Sequence, residues 1–227
     1  MRISIVIPAH NESASIPKLL QDIRAFMDDM RWEYEVLVID DGSTDDTLEI
    51  ANAFADRMPV RVIRHHENEG YGAALRTGFD ASTQDWIFIT DGDRQFDIKE
   101  LALFASHSEE ADLIIGYRKH RKDHWGRLLN AWVFNKTVQL LFGLKVHDID
   151  CAFKLIRRSV VRELTLESKG AFISTELLLR AKQRGRRIIQ IPVSHLPRLA
   201  GTPTGARVDV ILRAMKDLIL FRLTGHV

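Results

Sequence analysis

Two patterns alternate along the first half of the chain. Short runs rich in β-branched and aliphatic residues occupy 3–7, 34–39, 60–64, 86–90 and 112–116, and each is predicted to be a buried strand of a parallel sheet. Between the first two runs, Ile16, Leu19, Leu20, Ile23, Phe26 and Met27 recur every three or four positions, the spacing of one apolar helix face. Ser13 is expected to cap that helix, and Pro17 falls in its first turn, where a missing N–H does little harm. Helices are predicted around 45–56, 71–82 and 98–107. Strand and helix in strict alternation imply right-handed crossovers and a doubly wound α/β sheet.

After Gly116 the rhythm changes. Residues 124–142 are aromatic and amphipathic, and a short strand is expected near 152–156. Helices follow near 158–165 and 173–184, then a strand at 187–191, a loop with Pro and Gly at 192–206, and a last helix at 207–223. One domain, 1–227, is expected, with halves 1–116 and 117–227 sharing a single sheet.

Composition narrows the class. With 227 residues, 45% hydrophobic and 28% charged, the chain can bury a sizeable core like an ordinary globular protein. A net charge of +1 provides no global field for nucleic acid, so any anion site must come from local clustering. The single cysteine, Cys151, cannot form an internal disulfide, which suits a reducing cytoplasm. The N-terminus leads directly into the first strand, so no signal peptide is expected, and no apolar run is long enough for a membrane span.

The chemistry is expected at the carboxyl ends of the strands, where open α/β sheets bind ligands. There the sequence reads Pro8-Ala9-His10-Asn11-Glu12, Asp40-Asp41-Gly42-Ser43, His65-His66-Glu67-Asn68, Asp91-Gly92-Asp93-Arg94-Gln95 and Arg118. Carboxylates gathered at adjacent strand ends repel unless a cation or ligand donors offset them. Asp91 and Asp93, one residue apart across Gly92, can hold a hard divalent cation and leave positions for phosphate oxygens, with Gln95 adding a neutral oxygen. A solvated Asp-Gly turn is an equal alternative on spacing alone. Asp40 and Asp41 can accept from a base N–H or a ribose hydroxyl, whereas Asp45 and Asp46 suit the first turn of the next helix. Gly70-Tyr71-Gly72 reads as a helix start where backbone passes close to a ligand, or as a simple turn. The histidines are scattered, without metal-ligand spacing.

Taken together and in this order, these motifs resemble family 2 glycosyltransferases of the GT-A fold. The likeness is nearer to polyprenyl-phosphate sugar synthases, the group that includes dolichyl-phosphate mannose synthase. It runs from Pro8–Glu12 through Asp40–Asp45, Asp91–Gln95, Gly116-Tyr117-Arg118, Phe153–Arg158, Glu176 and Arg180-Ala181 to Ile191-Pro192-Val193 and Arg198.

The resemblance implies that 1–116 binds a nucleotide-sugar, with GDP or UDP as carrier, and that 117–227 binds a polyprenyl or dolichyl phosphate acceptor. Pro8, Ala9, Glu12 and Asp40 would frame base and ribose, and Asp41 and Gly70 join the donor site. Asp91, Gly92, Asp93 and Gln95 would meet Mn²⁺ or Mg²⁺ and the diphosphate. Arg118 and Arg127 would hold the acceptor phosphate, and Arg198 would close over the donor. His10 stands where relatives more often carry Tyr. Asp148-Ile149-Asp150-Cys151-Ala152 replaces a Thr/Ser/Gly-rich stretch.

The implied reaction is inverting. A phosphate monoester acceptor needs cations to position it but no general base, since its second pKa is near 6. Arg118, Lys119, Arg121, Lys122 and Arg127 cluster suitably. The rival enzyme would glycosylate a sugar hydroxyl of a glycan or glycolipid, with Asp148 or Asp150 as base. A second rival is a non-catalytic nucleotide-sugar-binding subunit. The aromatic segment 125–142 and the last helix can rest on a cytoplasmic membrane face, meet a small membrane-anchoring protein, or simply cover the sheet.

Overall fold

The structure, a computed structural model, describes residues 1–119, 125–198 and 208–227, without the side chains of 125–129, 208, 209 and 211. In chain order the elements are β1 (Arg2–Ala9), α1 (Ile16–Met30), β2 (Glu33–Asp40), α2 (Thr47–Asn52), β3 (Val60–Arg64), α3 (Tyr71–Ala81) and β4 (Trp86–Ile89). A 3-10 turn at Ile98–Glu100 leads into α4 (Leu101–Ser106). Then come β5 (Leu113–Arg118), α5 (Trp125–Phe142), β6 (Lys154–Arg157), α6 (Arg158–Glu163), α7 (Ile173–Gln183), β7 (Ile188–Val193) and α8 (Val208–Thr224).

Among the described residues seven strands form one sheet in the order β3-β2-β1-β4-β6-β5-β7. All run parallel except β6, which pairs antiparallel with both β4 and β5. The boundary expected at 116 falls inside β5, whose sheet neighbours are β6 and β7. The two halves therefore interleave in the sheet: β6 lies between β4 and β5, and β7 lies on the far side of β5.

The central strands read as continuous apolar runs because helices cover both faces. Ile3, Ile5, Ile7, Val36, Val38, Trp86, Phe88, Ile114 and Leu155 point into one layer with α1 and α4. Val6, Leu37, Ile39, Ile87, Ile89, Ile115 and Ile156 point into the other with α3, α7 and α8. The period of two along each strand decides which layer a residue joins. Gly78 of α3 lets that helix lie on β1, since a Cβ there would stand 2.3 Å from Val6 Cγ1.

Some local expectations change. The run at 60–64 is an edge strand, with Arg61 and Arg64 exposed, and so is not buried on both faces. Ser15, not Ser13, occupies the N-cap of α1. Ser13 instead donates its N–H to Asp45 Oδ2. Pro17 does sit in the first turn.

Candidate active site

Parallel pairing brings the strand ends level. Ala9 lies opposite Asp40, Asp40 opposite Arg64, and Arg118 opposite Val193. The loop after β1 is then stitched to the loop after β2. Asn11 N–H donates to Ser43 Oγ, Glu12 N–H to Thr47 Oγ1, and Thr44 N–H to Asn11 Oδ1. His10 Nδ1 lies 2.8 Å from the Asp41 carbonyl.

The loop after β4 leans on the same place. A Cβ on Gly92 would stand 3.4 Å from Glu12 Cγ and from the Pro8 carbonyl, so glycine lets this loop pass close to Pro8–Glu12. Asp93 is buried, and its Oδ1 accepts from the Gln95 N–H. Arg198 joins the two loops: Nη2 donates to Glu12 Oε1, and Nη1 lies 3.4 Å from Asp93 Oδ2. Its own loop is zipped to the β4 loop, since Leu196 N–H donates to the Gln95 carbonyl and Gln95 Nε2 donates to the Leu196 carbonyl. The Gln95 amide nitrogen thus serves the protein, and only its oxygen is left to meet a cation.

Two carboxylates in this cluster are held in unusual states. Burial, with the charge of Asp93, raises Asp91 to about 7, against the Tyr71 hydrogen bond and the positive charges of Lys154 and Arg118. Burial likewise raises Glu12 to about 7, opposed by Arg198 and assisted by Asp93. Asp91 Oδ1 is buried without a hydrogen-bond partner, and so is Asp40 Oδ2. Buried oxygens of this kind are costly unless something binds them.

Asp91 with Asp93 therefore fits a divalent cation: hard oxygen donors, an unpartnered oxygen, and like charges needing an offset. Among the described residues no group of three or more His, Cys, Asp or Glu forms a complete metal cage. A two-carboxylate site of this kind leaves coordination positions for substrate oxygens.

Several expected site residues are engaged elsewhere. Asp41 accepts from His65 Nδ1 at 2.7 Å and from the N–H groups of Glu69 and Gly70, so it organises the β3–α3 loop. Asp40 Oδ1 accepts from the Ser43 N–H. Gly70 has φ +105°, and a Cβ there would stand 2.5 Å from the Lys169 carbonyl; at Gly72 it would stand 2.5 Å from that of Ser168. The close approach these glycines permit is made by the chain's own loop.

At the end of β5 Arg118 is committed to Asp148. Nε donates to Oδ2 at 2.6 Å and Nη2 to Oδ1 at 2.8 Å, and the Arg118 N–H also donates to Oδ2. Burial opposes the guanidinium charge, but this partner raises its pKa overall. The Arg127 side chain, Arg121 and Lys122 lie outside the described residues.

Sequence reasoning missed three supports. Buried His65 bridges Asp41 and Thr77. Buried Glu176 accepts from the N–H groups of Glu167 and Ser168 and from Arg180 Nε, holding the loop on which Gly72 packs. Tyr71, between the two glycines, stands beside Asp91, and its burial and the Asp91 charge raise its hydroxyl well above the ordinary range. The sequence places His65 among the polar strand-end residues and Glu176 and Arg180 within the resemblance, but nothing local pairs them with these partners.

The fold is that of solved glycosyltransferases of the GT-A type. Glucosyl-3-phosphoglycerate synthase from Mycobacterium tuberculosis, in complex with Mn²⁺ and UDP-glucose, superposes with a TM-score of 0.76 at 21% identity, covering 97% of this chain and 78% of that one. Its complex with phosphoglyceric acid gives 0.74 at 23% identity, covering 97% and 79%. The sequence is more specific. The model of glycosyl transferase family 2 matches residues 4–165, and the chain belongs to that family. A dodecaprenyl-phosphate galacturonate synthase of Rhizobium johnstonii is 33% identical over 171 residues, 73% of this chain and 51% of that protein. An undecaprenyl-phosphate 4-deoxy-4-formamido-L-arabinose transferase of Aeromonas hydrophila is 30% identical over 221 residues, 96% of this chain and 66% of that protein. The chain thus spans about half to two thirds of the length of these relatives.

Proposed function

We propose that this chain transfers a hexose from a nucleotide-sugar to a polyprenyl phosphate, with inversion and with the help of a divalent cation. The observation that carries the reading is the meeting of Asp91, Asp93, Glu12 and Arg198 at the ends of β1 and β4, with one Asp91 oxygen unpartnered. The names of the two polyprenyl-phosphate relatives support the acceptor, and the Mn²⁺ and UDP-glucose bound by the mycobacterial enzyme support the donor and cation.

In this reading Pro8, Ala9, His10 and Asp40 line the base and ribose, and Asp40 Oδ2, which has no hydrogen bond and lies 3.7 Å from Arg64 Nε, receives a donor N–H or hydroxyl. Mn²⁺ or Mg²⁺ at Asp91 and Asp93, with the Gln95 oxygen, supplies positive charge beside the donor diphosphate. Arg198 turns from Glu12 and Asp93 onto the diphosphate, stabilising charge that develops as the nucleoside diphosphate leaves with the bonding electrons. An acceptor phosphate oxygen forms the new bond at the anomeric carbon. It needs no base, being largely dianionic at pH 7. Arg127 positions it, and Arg118 works through Asp148.

The hydroxyl-acceptor alternative loses ground on geometry. Both Asp148 oxygens accept from Arg118, which disfavours taking up a proton there. Asp150, which is exposed, would have to act as that base.

Membrane contact belongs to the same reading. Among the described residues no helix is long and apolar enough to cross a membrane. Yet α5 exposes Trp132, Val133, Leu140 and Leu141, and α8 exposes Leu212, Ile219, Leu220 and Leu223 beside Arg213, Lys216 and Arg222. These faces suit a cytoplasmic membrane surface, or a small anchoring protein, where a polyprenyl chain is presented. The opposite face of α8 carries Leu218 and Phe221 into the core, with Phe221 against Phe142 and Phe172.

The donor half is tested by thermal shift with UDP and GDP, each with and without Mn²⁺. One nucleotide should raise the melting midpoint only with the cation; a ligand at about 100 times its Kd contributes about 2.7 kcal/mol. No shift with any nucleoside diphosphate would overturn the reading.

A further inference from the structure

Lys154 is a fully buried lysine in the middle of the sheet, 1% exposed. It stands opposite Ile89 on β4 and Ile115 on β5, at a position the strand pattern would fill with an aliphatic residue. A buried ammonium is costly, and a leucine or methionine there would pack more cheaply. Its Nζ donates to the carbonyl of Ile149 at 3.0 Å and to that of Cys151. Both carbonyls belong to the turn 148–151, which is closed by a long Cys151 N–H to Asp148 carbonyl contact at 3.4 Å. The turn wraps the ammonium.

Two further contacts give the arrangement a direction. The turn begins with Asp148, which grips Arg118, and Cys151 lies against Gly116, where an added Cβ would stand 3.0 Å from Cys151 Sγ. On the other strand Ile89 is two residues before Asp91. One buried charge thus ties the carboxyl end of β4 to the turn bearing Asp148, from which Asp150 projects exposed.

We propose that Lys154 is a positioning residue that holds the 148–151 turn, and the Arg118–Asp148 pair built on it, against the end of β4 as the acceptor-side wall of the cleft. The assignment of that wall to the acceptor rests on the proposed function; the pinning of the turn does not. Lys154 touches no reacting atom in this account. It acts through the backbone carbonyls of Ile149 and Cys151.

The test compares Lys154→Met, which keeps length and loses every donor, with Lys154→Gln, which keeps an amide donor. Hydrogen exchange read over 147–153 should be at least tenfold faster in Lys154→Met and intermediate in Lys154→Gln, with 2–9 and 33–40 unchanged. With undecaprenyl phosphate as acceptor and the nucleotide-sugar identified by thermal shift as donor, acceptor KM should rise at least tenfold in Lys154→Met. Donor KM should stay within twofold, and Lys154→Gln should recover part of the loss. If Lys154→Met does not fold, Lys154→Gln carries the same comparison with the wild type. Unchanged exchange at 147–153, or faster exchange spread evenly over the sheet, overturns the proposal. Localised exchange in a wild-type enzyme that ignores undecaprenyl phosphate leaves Lys154 as the pin and removes the acceptor reading instead.

Discussion

Arg118 and Asp148 form a bidentate pair, 2.6 and 2.8 Å, with each side chain 6% exposed. Removing one partner from such a pair leaves a buried charge uncompensated, which typically costs about 3–5 kcal/mol. Asp148→Ala should therefore lower the unfolding free energy by that amount, read as a lower urea midpoint at an unchanged denaturant slope. The double variant Arg118→Met, Asp148→Leu should recover most of the loss. A loss below about 1 kcal/mol in the single variant would show that water reaches the pair.

The raised carboxyls make a pH prediction with a definite sign. Asp91 and Glu12, both near 7 in the fold, ionise near 4 when unfolded. The folded state thus holds more protons between about pH 4 and 7. The stability these two groups contribute is complete below pH 4 and lost as pH rises through 7. Asp91→Asn should consequently melt higher than the wild type at pH 8 without added metal, each kcal/mol being worth about 2–4 °C at this size. Mn²⁺ should stabilise the wild type more at pH 8 than at pH 5.5, and Asp91→Asn less at either. A lower melting point for Asp91→Asn at pH 8 contradicts the account of Asp91.

Much of this was legible in the sequence, and the gaps have physical causes. Strands such as 3–7 and 86–90 announce themselves because both faces are covered, and α1 because its buried residues share one stripe. The antiparallel insertion of β6 leaves no local trace, since a four-residue strand carries no signal of its direction, and Lys154 hides that the strand is central. Asp91 and Asp93 could be picked out only together with the other strand-end carboxylates and motifs, because on spacing alone a solvated Asp-Gly turn is an equal alternative. Asp41 and Arg118 carried the same local signal, but their partners His65 and Asp148 lie 24 and 30 residues away, beyond any local pattern. Along α8 the fold buries Leu218 and Phe221 and leaves Leu212, Ile219 and Leu223 exposed, a second apolar face outside the buried stripe.

Arg127 distinguishes the acceptor side from the donor side. Arg127→Ala should raise KM for undecaprenyl phosphate about tenfold or more, because a charge-assisted fork to phosphate is lost, and leave donor KM within twofold. A rise in donor KM alone would place Arg127 in the nucleotide site.

Exposed apolar residues beside Arg213, Lys216 and Arg222 predict reversible binding to vesicles containing anionic lipid. Each cation near such a surface contributes about 1 kcal/mol, screened by salt. Flotation should fall between low and physiological salt, and the triple change Arg213→Glu, Lys216→Glu, Arg222→Glu should reduce it about tenfold or more. Equal flotation of the triple variant would mean that α8 only covers the sheet.

The most direct measurement supplies the purified protein with UDP- and GDP-sugars and offers undecaprenyl phosphate or undecaprenol in matched micelles, products being read by mass spectrometry. A lipid-linked sugar phosphate and free nucleoside diphosphate should appear with the phosphate acceptor and Mn²⁺ or Mg²⁺, and no product with the alcohol. EDTA, and Asp93→Ala in a protein that still melts cooperatively, should each abolish the product. Equal turnover in EDTA, or glycosylation of a sugar hydroxyl with none of the lipid phosphate, would contradict the account.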